Sequence, residues 1–192
     1  MRGEELTLPV IFDRTIKPYV LILTSIFVAS FLAGTIAPTS FQKEAAEASR
    51  FIADMLQGLS GGWLFYNILV HNVMASILIL LSGVLFGIVP IFSMGTNGFF
   101  LGVIYRQTAE MAGYSKAAIM ILPQGVIEIP ALLIAASYGL WLGVSVVRRM
   151  RGKESTLLRF HIEHVFRRYF AIVFPLLIVA AAIETALILR LQ

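Results

Sequence analysis

Residues 126–147 read VIEIPALLIAASYGLWLGVSVV, 22 consecutive positions with one charged side chain, Glu128. At about 1.5 Å per residue this run makes a helix of about 33 Å, enough to cross a hydrocarbon core of about 30 Å. A helix satisfies every backbone N–H and C=O within the segment, which lipid demands. Just ahead stands Pro123-Gln124-Gly125. Proline disfavours helix in the residue before it and glycine loosens the turn, so a break is expected at 122–125, preceded by a short apolar helix capped by Ser115.

Outward from this run the same signal recurs. Apolar stretches at about 18–37, 63–89 and 169–191 are each long enough to span, and Trp63, Phe65 and Tyr66 suit an interfacial aromatic belt. Residues 91–112 are apolar but interrupted by Gly95-Thr96-Asn97-Gly98, which leaves open a third span or a re-entrant half-helix. Two further segments read as amphipathic helices outside the hydrocarbon, an outer one at 41–57 and a basic one at 148–168. The expectation is a single all-α domain over 1–192: a polytopic transmembrane bundle of about five spans, with broken or half-helices around 91–125 and two interfacial helices.

Composition agrees, since 58% hydrophobic and 14% charged residues with a mean hydropathy of +0.86 exceed what a soluble domain hides. The net charge of +4 is no sign of nucleic acid, because seven of the 15 basic residues fall within 148–168. Basic segments favour the cytoplasmic side, so five spans in the cell membrane put the N-terminus inside and the C-terminus outside. Four spans would place the N-terminus outside. Residues 1–17 mix acids and bases ahead of a full-length apolar run with no small-residue cleavage site, so the first helix reads as retained rather than as a signal peptide. With no cysteine in the chain, disulfides, thiolate metal sites and thiol nucleophiles are excluded.

Polar groups inside spans are costly and so point to function. His71, Asn97, Gln124 and Glu128 form the candidate intramembrane polar site, beside the helix-break motif Pro123, Gly125 and Pro130. Gln124, Glu128, Ala131, Ala135, Gly139 and Gly143 share one stripe, polar at its start and small thereafter, suited to close packing against another helix or a second subunit. A contact between His71 and Glu128 would satisfy both groups. The alternative for Glu128 is structural: a carboxylate in the first turn of its helix, favoured by the helix dipole. No metal site is expected, because the other histidines, His161 and His164, fall in the basic segment on the opposite side. No cofactor is called for, and no HExxH, GxSxG, phosphate loop or catalytic triad points to an enzyme.

Asn67, the Asn97-Gly98…Gly102 step and Pro123-Gln124-Gly125-Val126-Ile127-Glu128-Ile129-Pro130-Ala131 followed by Gly139 resemble the stage II sporulation protein M family over roughly residues 60–145. That family commonly carries Pro-His-Gly-x-x-Glu, whereas Gln124 stands here in place of the histidine. Glutamine keeps hydrogen-bonding capacity but does not become cationic near neutral pH, which favours a structural network at the break. The resemblance implies a multi-pass membrane protein that scaffolds or localises partners, which in spore-formers are membrane-anchored cell-wall hydrolases. Sporulation itself has no signature in this chain. Two readings follow. One is a scaffold recruiting other membrane proteins. The other is a small transporter or channel using Glu128 and Gln124, for which so few spans imply a homodimer.

Overall fold

The computed structural model describes residues 15–38, 40–41, 43, 47, 59–153 and 155–191, with the side chains of 120–125 and 191 excepted. Most of the 41–57 segment and all of residues 1–14 lie outside the described residues. Residues 41, 43 and 47 are helical, and the Phe41 ring packs edge-on against Phe99 at 5.5 Å.

The described chain is helical, with no strand, and five helices are long and apolar enough to cross a membrane. Helix α1 spans Lys17–Thr35 and starts on Pro18, whose fixed φ and missing N–H suit the first turn. Helix α2 spans Gly61–Leu81 and tightens into a 3-10 turn at Ser82–Val84. The chain then reverses at Phe86 and Gly87, both with positive φ (59° and 74°), and enters α3, Ile88–Ala112. The reversal therefore comes before Pro90, which sits in the first turn of α3, where a proline costs no hydrogen bond.

Helix α3 runs unbroken through Gly95-Thr96-Asn97-Gly98, so residues 91–112 form one continuous helix and not a half-helix. These glycines serve packing. A side chain at Gly98 would strike the Phe27 carbonyl, and one at Gly102 the Phe31 carbonyl, so the α1 and α3 backbones touch along a Gly-x-x-x-Gly face. Arg106 locks the end of this pair, donating to the Thr35 carbonyl at 3.1 Å and pairing with Glu110 one turn on.

After Gly113 (φ 91°), helix α4 covers Tyr114–Pro123. Its first turn opens on the Gly113 carbonyl, which accepts from the Ala117 N–H at 3.0 Å, so Gly113 and not Ser115 holds the cap position. The expected break at 122–125 is a π-helical turn, Gln124–Glu128, that joins α4 to α5, Ile129–Met150, without leaving the helix. Such a local widening is one way in which a helix accommodates prolines on either side of it.

Helix α5 is the centre of the bundle, touching α1, α2, α3 and both later helices, and most of its length is buried. Ala131, Ala135, Gly139 and Gly143 all face inward. A Cβ on Gly139 would lie 2.9 Å from the Ile79 carbonyl oxygen, and Gly143 rests against Gly83 and Gly87. Helix α6, Leu158–Arg168, continues through a second π-helical turn, Tyr169–Val173, into α7, Phe174–Leu191. Its inner side is held by Trp141, whose ring lies 4.9 Å from that of His161 and 5.7 Å from that of His164, while Arg159, Glu163 and Arg167 face out. Where α7 crosses α2, the buried hydroxyls of Ser76 and Tyr169 hydrogen-bond at 2.7 Å.

Candidate functional site: a polar cluster at membrane depth

Glu128 ends the π-helical turn, with helix on both sides of it. The carboxylate is consequently not at an open helix start, and the dipole reading of this residue loses its basis. It is half-buried and borders a cavity of about 180 Å³ between α1, α3 and α5. Phe27, Met94, Phe100 and Leu132 form much of the apolar wall, and Asn97 is its second polar group. The Asn97 amide N–H donates to the Ser93 carbonyl at 2.8 Å, which leaves its carbonyl oxygen available to the cavity. Asn97 and Glu128 are thus brought to one space. The side chain of Gln124 lies outside the described residues, as do those of Pro123 and Gly125; their backbone forms the end of α4 and the start of the π-helical turn.

His71 is placed elsewhere, on the outward side of α2. No hydrogen bond or ion pair joins it to Glu128 among the described residues. What links them is Glu184 on α7, half-buried and within electrostatic reach of both His71 and Glu128. Glu184 therefore stands near enough to both groups to feel their charge, and Glu128 borders the cavity. Carboxyl and imidazole groups are residue types suited to receiving or holding a proton.

Glu184 was not among the residues that the sequence pattern joined to the site. Depth was the available signal. Glu128 lies 20 residues before Arg148, and Glu184 lies 16 residues after Arg168. Those separations correspond to about 30 and 24 Å of helix rise from the same basic connection.

The outward side of α2 holds a second polar feature. Asn67, His71, Met74, Leu78 and Leu81 are all exposed, and they recur at intervals of four, three, four and three. Asn67 donates one N–H to the Trp63 carbonyl at 2.8 Å; its amide oxygen and remaining N–H have no partner among the described residues. Helices α5 and α7 pack on the opposite side of α2, through Leu64, Ile68, Asn72, Ser76 and Ile79.

These features define a polytopic helical membrane protein built around one buried helix, with ionisable groups retained at membrane depth. The profile of the stage II sporulation protein M family matches residues 20–187, most of the chain, and the protein belongs to that family. No curated protein and no solved structure matches it.

Proposed function

We propose that this protein is a membrane scaffold, without catalysis of its own, whose bundle seats another transmembrane helix. The observation that carries the reading is the outward placement of Asn67 and His71 on α2. Asn67 adjoins the interfacial aromatic residues and His71 lies about 6 Å further along α2, at a depth where a polar side chain normally faces a bundle interior. A face that turns them outward is suited to a helix and not to lipid tails. With the basic 148–168 segment cytoplasmic, the N-terminus lies inside and the C-terminus outside, and α6 carries its exposed arginines to the cytoplasmic surface.

The test is the mass of the particle extracted from native membranes in mild detergent. The wild-type chain is expected to travel in a complex heavier than itself, and the Asn67→Leu/His71→Leu double variant as the chain alone. Equal masses for the two would end this reading.

A second reading, transport of a small cation or of protons, is favoured by the cavity that joins Asn97 to Glu128 and by a second carboxyl, Glu184, near Glu128. Helix irregularities beside an intramembrane carboxylate recur at transport sites. On this reading Glu128→Gln abolishes flux in reconstituted vesicles while the protein stays folded. Flux that survives the substitution removes Glu128 from any pathway.

A further inference from the structure

We infer that the helix seated on the outward face of α2 is α2 of a second copy of this chain. The inference rests on the scaffold reading and gives its partner an identity.

The spacing of that face is the first argument. Positions 67, 71, 74, 78 and 81 repeat every three and four residues, the 3.5-residue period by which two helices keep one seam in contact over several turns. Four turns are long enough for such a seam. Its apolar members are well exposed, Met74 at 55% and Leu78 at 62%, and Ala75 beside them allows close approach. The outward positions of α1 at 21, 25, 28 and 32 have the same spacing and are mostly apolar, so what sets α2 apart is the pair Asn67 and His71.

Orientation is the second argument. All copies of a membrane protein insert the same way round, so two α2 helices related by a two-fold axis along the membrane normal run parallel. In a parallel pair each seam position meets its own counterpart. Leu78 then meets Leu78, Met74 meets Met74, and Asn67 meets Asn67.

Chemistry is the third. An amide both donates and accepts, and so does a neutral imidazole, so Asn67 and His71 complement themselves across the axis. A carboxylate or an arginine at either position would repel its own copy. The Asn67 oxygen and N–H left over from the bond to Trp63 are the groups that such pairing uses. Polar residues in a helical seam also fix register, which a run of leucine alone does not.

The experiment is thiol crosslinking in membranes, made clean by the absence of native cysteine. Single variants Met74→Cys and Leu78→Cys are oxidised with copper–phenanthroline, beside Val28→Cys on the outward face of α1, where exposure is similar at 48%. Two differently tagged chains are co-expressed so that the product is recognised as a pair of copies. The expected result is a disulfide-linked product carrying both tags at 74 and 78 and none at 28, with loss of that product when Asn67→Leu and His71→Leu are added. Equal yields at all three positions, or none at 74 and 78, overturn the inference. If bifunctional maleimides at 74 and 78 instead capture a different membrane protein, the second copy is ruled out while the scaffold reading stands. If no protein of any kind is captured there, both fail.

Discussion

The middle of α5 and the turn that leads into it are built on opposite principles. From Gly139 to Gly143 its backbone lies directly on the backbone of the α2–α3 reversal at Gly83 and Gly87. At Glu128 the same helix is widened by a π-helical turn and borders a cavity lined by Asn97. Lipid supplies no hydrophobic force between helices, so cohesion has to come from close van der Waals packing, and small residues allow it. The tight region holds the bundle together. The loose region adds little cohesion and keeps the polar groups. Stability and chemistry are separated along one helix, and substitutions in the two regions should behave differently.

The largest effect is expected in the tight region. Gly83→Leu would drive a side chain into the Gly139 backbone, which cannot move aside as a side-chain tip can. A loss of about 3 kcal/mol or more is expected, seen as failure to obtain a monodisperse particle in detergent. A well-folded Gly83→Leu protein would show that the crossing is looser than the distances imply.

A smaller effect is expected midway, where α2 meets α7. Ser76→Ala removes the 2.7 Å hydroxyl contact and leaves the Tyr169 hydroxyl with only a long 3.4 Å bond to the Val73 carbonyl. The cost should be about 1 kcal/mol, within the range for hydrogen bonds between membrane helices, read from thermal or denaturant unfolding.

The smallest effect on stability is expected in the loose region. Glu128→Leu replaces a half-buried carboxylate beside Glu184 with an apolar group that the cavity can accommodate. Stability should stay within about 1 kcal/mol of the wild type, with any change favourable, because an apolar residue of similar volume needs no solvation. A marked loss would mean that Glu128 holds the π-helical turn in place, and the contrast between the regions would collapse.

The sequence was informative where bilayer physics acts on single segments. A run such as 126–147 has one use, and hydrocarbon thickness sets its length. It was less informative where two segments had to be compared. Gly95 to Gly98 looked like an interruption because glycine weakens a lone helix, yet Gly98 is the point at which α3 meets the Phe27 carbonyl of α1. Glu184 reaches the site only because α7 lies beside the π-helical turn. That Asn67 and His71 share one side of α2 follows from their spacing of four. Which side faces out does not, because a helix apolar nearly all round carries no moment to orient it.

The claim on which the account turns is that the outward side of α2 meets protein and not lipid. Its most direct test is a photocrosslinking scan, with a light-activated amino acid placed in turn at 67, 71, 74, 78 and 81 and, for comparison, at the outward α1 positions Leu21, Val28 and Leu32. Protein adducts in native membranes at the α2 positions, absent from the α1 positions, are the predicted result. Adducts to lipid alone along α2, as along α1, would contradict it.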